Sequence, residues 1–348
     1  MIAYPKRQGD SSQPMLLRDL ATYLRTSPDR KDYHIVNRTE TGSEQGGFAP
    51  PEPTIRSAEI VEGDGAMRAT PVGQPHGTRF THFLDGIERM HIPCYRSIVP
   101  MVYAFTAAVV RRRGDDRKMA TWKWDSRESV YIPDGHFDTS EILRRFDVTL
   151  VKDEDDRQGK PMELNPALMV QRCRERAQKD RERLEHQLLE SWARESDGSD
   201  GNWLLVDGSL PYSEERYRGV VGLIKSHQTQ YFQAEEQITV LSLAPGERSS
   251  VFKVKRSGGS PPLTWYLRLR PNDGRDVFFG LVRLEIADVP GALAMVDEIS
   301  RWILAERQPL SLPDGRWDRL LYPIRDCEQF LRSVAPSYIV MQAAMGGL

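Results

Sequence analysis

Two aspartates in this chain stand directly after short apolar runs. In "NWLLVDGSLP" (202–211) Leu204, Leu205 and Val206 lead into Asp207, and in "THFLDGIERM" (81–90) Phe83 and Leu84 lead into Asp85. Each reads as a β-strand ending on a carboxylate, with a glycine next. If the two strands are neighbours, their carboxylates meet at one sheet edge. They then repel each other, and burial drives each toward protonation unless a cation lies between them. Mg²⁺ or Mn²⁺ suits that place, because hard cations take oxygen ligands. Two such ions about 4 Å apart form a general device for hydrolysing phosphodiesters. Asp-Gly is also a common turn dipeptide, and "PDG" at 133–135 and 313–315 is read as turn only.

A third acid is needed, and the clearest element of the sequence offers several. Asn165-Pro166 pairs an N-cap residue with proline at the first helical position. The helix they open runs to about residue 195, with apolar residues at 170, 173, 177, 184, 188 and 192 forming one buried stripe. Its glutamates are Glu175, Glu182, Glu185, Glu190 and Glu195, which can simply solvate a helix face; Glu185 and Glu190 each have an arginine four residues away to pair with. Glu185 follows Leu184 and precedes Leu188, so it borders the stripe and is the first candidate ligand; Glu190 is the reserve. Among cations, Lys225 closes the apolar strand "GVVGLIKS", near the edge where Asp207 also ends. Arg268 and Arg270 alternate with apolar residues in "WYLRLR", which gives either a solvated sheet face or a basic face that holds phosphates.

The elements that must position these residues follow from the pattern. One helix is expected in "SQPMLLRDLATYLRTS" near the N-terminus, and residues 41–79 read as a long, weakly structured connection. The body begins near Arg79. It has a strand ending on Asp85, a strand at about 98–111, a hairpin-like pair ("KMATWKWD", "ESVYIPD"), an acidic loop (152–160) and the long helix. Five further strands and two C-terminal helices (291–306 and about 324–334) complete it. The expected fold is α/β, or mixed α+β: a mixed sheet flanked by helices. Residues 1–78 read as an N-terminal extension and partly irregular linker, and residues 79–348 as the main domain.

Bulk properties narrow the classes. Lys+Arg 48 against Asp+Glu 50 give a net charge of −2, so nucleic-acid binding would need a local basic face. Cys94, Cys173 and Cys327 are widely spaced and lack a CxxC, so they read as reduced thiols. The longest near-apolar run, 98–110, is too short to span a bilayer and reads as a buried strand. No apolar signal segment stands at the N-terminus, and a cytoplasmic location without membrane contact is expected.

Across roughly 79–335, the segments "NWLLVDGSLP", "YRGVVGLIKSHQTQYF", "TWYLRLRP", "LVRLEIA" and "LLYPIRDCEQFLRS" together resemble the NurA nucleases. The resemblance implies an RNase H-like fold. It makes Asp85 the first-strand ligand and Asp207 the second-strand ligand, and "RLE" favours Glu185 over Glu190 as the helix acid. Family members often carry a Tyr-Pro-x-Pro-Leu segment and then a histidine near the metals. This chain keeps Tyr322-Pro323 but has no such histidine; Glu328 lies at about the corresponding place, with Asp326 as the other acid. The resemblance further implies a homodimeric DNA nuclease using Mn²⁺ or Mg²⁺, with two ions expected. It would process DNA ends with a HerA-type hexameric ATPase, in double-strand-break repair or anti-phage defence. The motor must be another chain, since no GxxxxGK[ST] motif occurs here. The missing histidine leaves a second expectation, a catalytically weakened NurA-like scaffold that binds the ATPase or DNA.

Overall fold

The computed structural model describes residues 15–35, 54–152, 162–196, 201–210, 214–227, 229–254, 260–307 and 321–345. The "PDG" at 313–315 and most of the acidic loop at 152–160 lie outside these residues. In chain order the elements begin with α1 (Met15–Thr26), β1 (Tyr33–Ile35), β2 (Thr54–Ile55), β3 (Ala58–Ile60) and β4 (Ala69–Pro71). Three long strands follow, β5 (Phe80–Arg96), β6 (Val99–Arg113) and β7 (Met119–Pro133), then α2 (Ser140–Arg145) and β8 (Val148–Val151). The long helix α3 (Pro166–Glu195) leads to β9 (Trp203–Asp207) and β10 (Val220–Ile224). After them come β11 (Thr229–Gln230), α4 (Ala234–Leu241), β12 (Glu247–Ser249), β13 (Phe252–Val254), β14 (Leu263–Arg268) and β15 (Leu281–Ile286). Helices α5 (Val296–Glu306), α6 (Tyr322–Val334) and α7 (Tyr338–Met345) close the described chain.

Among the described residues, thirteen strands form one mixed sheet whose main path is β3-β13-β14-β15-β10-β9-β5-β6-β7-β8. This is the mixed sheet with flanking helices expected from the sequence. At its centre β5, β6 and β7 form an antiparallel meander, while β9 runs parallel to β5 and β10 parallel to β9. Only β6 therefore runs against the other four. All of the apolar run 98–110 except the exposed Ile98 lies in β6, whose first twelve residues are all buried. A strand covered on both faces needs no alternation, so its sequence is continuously apolar.

Two helices cover the two faces. On α3, Leu184, Leu188 and Trp192 pack with Leu84, Ala108, Val110, Leu204 and Val206. On the opposite face, Ile324, Cys327 and Leu331 of α6 join a core that contains Phe83, Ala107, Val109 and Leu205. Each fully buried aliphatic side chain contributes roughly 1.5–3 kcal/mol, so both helices are anchored firmly enough to hold a functional side chain in place. The N-cap of α3 is the expected one: the Asn165 side chain accepts hydrogen bonds from the Ala167 and Leu168 N–H groups.

Three expectations need correction. The hairpin-like pair at 118–134 is a single strand, β7, because it stays paired with β6 along its length, with one register shift at Trp122. Residues 41–79 are not only a connection: β3 pairs with β13, and β4 pairs with β12, so the described part extends the main sheet. Helix α1 likewise buries Leu17, Leu20 and Leu24 in the main core, so the described part of 1–78 shares that core with the body.

Candidate metal centre

Asp207 is the last residue of β9, as its apolar lead-in and following glycine suggest. Asp85 is not a strand end. It is the sixth residue of the 17-residue β5, which continues because β6 stays paired with it. What stops near Asp85 is its other neighbour. The last β5–β9 pair is Leu84–Val206, and on that edge of β5 no described strand pairs again until β1 meets Cys94–Arg96. Side chains alternate along a strand. With Phe83 and Leu205 in the α6-side core, Asp85 and Asp207 turn to that same face.

There α6 supplies a third acid. One oxygen from each of Asp85, Asp207 and Glu328 lies within 4.8 Å of the others. Lys225, just after β10, reaches into the same group: its Nζ is 2.7 Å from Asp207 Oδ2 and 3.9 Å from Glu328 Oε1. The other acid of that turn, Asp326, lies elsewhere and accepts a hydrogen bond from Arg111 Nε at 2.6 Å. Helix rotation thus selects Glu328.

Glu185 approaches from the α3 face. It lies directly over Gly86, where an added Cβ would stand 2.1 Å from its Oε1. The missing side chain is what lets this carboxylate reach the sheet beside Asp85. Arg181, one turn earlier, holds it with Nη1 at 2.5 Å from Oε1. Glu185 is outside the 4.8 Å group, but adjoins it.

Electrostatics follow from this crowding. Burial, and then the Asp207 charge, raise the Asp85 carboxyl well above the usual carboxylate range. Burial raises Glu185 to about 7, against the pull of Arg181. Burial alone would lower the Lys225 ammonium, but the charges of Asp207 and Asp85 outweigh it and raise its pKa. Asp85 is 5% exposed. Its Oδ1 accepts a hydrogen bond from the Gly86 N–H at 2.8 Å. A buried carboxylate facing two others suits a cation, and an all-oxygen donor set suits Mg²⁺ or Mn²⁺. The neighbouring thiol, Cys327, is engaged with the Phe83 carbonyl.

The centre opens into a cavity of about 550 Å³, whose lining includes Asp85, Asp207 and Glu328 together with the cations Arg181, Lys225 and Arg332. Arg181 and Arg332 escaped the sequence reading, although each had a signal. Arg181 stands four residues before Glu185 and Arg332 four after Glu328, the spacing that shares a helix face.

Other candidates belong elsewhere. Glu190 does not join the acids: it accepts hydrogen bonds from Tyr217 Oη and Arg216, which hold it at the segment before β10. Arg268 and Arg270 do not form a basic DNA-binding face. Arg268 is fully buried and donates to the carbonyls of Leu241, Leu243, Val277 and Phe279. Arg270 is buried as well and donates to the Arg307 carbonyl. Both faces of β14 are covered, so alternation there does not mean exposure. Lys225 points among the acids and not onto an open surface.

No family model matches the chain, and no curated protein is detectably similar to it in sequence. No described helix is long and apolar enough to cross a membrane.

Proposed function

We propose that this protein is a divalent-metal-dependent DNA nuclease of the NurA type. The observation that carries the reading is the meeting of Asp85, Asp207 and Glu328, from two strands and a helix, within 4.8 Å at the floor of an open cavity lined by cations. The central strand order β7-β6-β5-β9-β10, with only β6 reversed, agrees with an RNase H-like core. Asp85, Asp207 and Glu328 would hold Mg²⁺ or Mn²⁺, with Glu185 beside them. A bound ion of this class lowers the pKa of water and offsets charge on a reacting phosphodiester. The chain's own contribution is to fix the carboxylates on anchored elements and to present Arg181 and Arg332 to a polyanion. In this reading the protein acts as a homodimer on DNA ends with a HerA-type hexameric ATPase, in double-strand-break repair or anti-phage defence.

Lys225 motivates a second reading. An internal ammonium already neutralises part of the acid cluster, as it would in a scaffold that binds the ATPase or DNA without cutting. Incubation with linear single- and double-stranded DNA in Mn²⁺, Mg²⁺ or EDTA, with and without the ATPase, separates the two. Metal-dependent cleavage that disappears in Asp207→Ala supports the nuclease; no cleavage under any of these conditions supports the scaffold.

A further inference from the structure

We propose that this centre takes one divalent cation per chain, because the Lys225 ammonium occupies it as a permanent second cation. The inference rests on the nuclease reading above and replaces the two ions expected from the sequence. Three carboxylates, Asp85, Asp207 and Glu328, offer oxygens within one small space. The Lys225 Nζ lies among those same oxygens, 2.7 Å from Asp207 and 3.9 Å from Glu328. Glu185, the remaining acid, is committed to Arg181.

Charge then sets the count. Among the clustered groups, three carboxylates against one ammonium leave two negative charges, the charge of one divalent ion. Glu185 and Arg181 cancel as a pair, and Arg332 on the cavity wall adds positive charge that disfavours a second ion further. A second divalent ion would stand against the ammonium at close range in a partly buried site, where like charges are weakly screened. Asp85 marks the position nearest the open edge: it is 5% exposed, and its Oδ1 accepts a hydrogen bond from the Gly86 N–H. Lys225 is held at its root. It directly follows Ile224, the last residue of β10, and that strand is paired with β9 on one side and β15 on the other.

The test is a Mn²⁺ titration of the full chain at neutral pH, with bound ion counted by equilibrium dialysis and by electron paramagnetic resonance. One Mn²⁺ per wild-type chain, with the signal of an isolated ion, is expected. Lys225→Met and the hydrogen-bonding neutral variant Lys225→Gln are each expected to bind two, with a spin-coupled signal, while Lys225→Arg stays at one. Circular dichroism verifies that each variant is folded. Two ions per wild-type chain would overturn the inference and leave the nuclease reading standing, as would one ion in a folded neutral variant. No bound Mn²⁺ in the wild type would overturn the nuclease reading itself.

Discussion

Replacing Asp85 by asparagine should make the metal-free protein more stable and remove its response to metal. The Asp85, Asp207 and Glu328 oxygens lie within 4.8 Å of one another. At an effective dielectric near 20, two unit charges that far apart repel by about 3.5 kcal/mol. Lys225 offsets part of this through its bond to Asp207. Burial and the Asp207 charge raise the Asp85 carboxyl well above its ordinary range, so without metal it must take up a proton or bear the repulsion. Either route costs free energy, and the repulsion figure above sets its scale. Asparagine removes that cost and keeps an oxygen to accept the Gly86 N–H. In EDTA the variant should therefore be about 3 kcal/mol more stable, a rise of roughly 5 °C in Tm. Saturating Mn²⁺ should stabilise the wild type by about 2.7 kcal/mol at one hundred times Kd and leave the variant unchanged. Thermal unfolding in EDTA and in Mn²⁺ reads both quantities. A variant less stable than wild type in EDTA would refute the repulsion argument, and equal Mn²⁺ increments would refute the ligand role of Asp85.

Asp207→Ala should behave oppositely in EDTA, losing about 1–3 kcal/mol, because it strips Lys225 of its nearest carboxylate; chemical denaturation measures the sign. Repulsion among the acids alone would give the opposite sign. Gly86→Ala should leave the fold intact but push Glu185 aside, since the new Cβ would meet a flexible carboxylate and not backbone. Cleavage should fall at least about tenfold, and unchanged cleavage would show that Glu185 has no part in the site. Glu185, raised to about 7 in the fold, favours the folded state below its ordinary value near 4.5. That contribution is lost as pH climbs through 7. Metal-free stability should thus decline by about 3 kcal/mol across this window, and Glu185→Gln should flatten the decline in a pH series of unfolding curves. Arg268→Leu should cost about 3–5 kcal/mol, as it orphans four carbonyls, one buried and three part-buried. Filter binding should find the DNA affinity of its folded fraction unchanged.

Some of this molecule is written in short stretches of sequence. Helix α3 begins and ends where Asn165-Pro166 and its apolar stripe indicate, because capping and periodicity act within a few residues. Asp207 ends its strand because the glycine after it leaves the extended region, with φ +134°, a local property again. The 98–110 run was legible as buried strand for the same reason. Tertiary structure decided the rest. Asp85 looks like a strand end, yet its place is set by where β9, over a hundred residues later, stops pairing with β5. Arg268 and Arg270 alternate as a solvated face would, but helices and loops cover both sides of β14 and bury them. The choice of Glu328 over Asp326 is a matter of how α6 is rotated on its core, and that of Glu185 over Glu190 depends on the bare surface of Gly86 beneath one of them. Lys225 among the carboxylates was the least readable. A strand-end lysine can face solvent or a site, and only the register of β10 against β9, Leu223 beside Asp207, sends its ammonium to the acids. Local signals specify elements and their ends, whereas a charge cluster depends on register and packing between segments far apart in the chain.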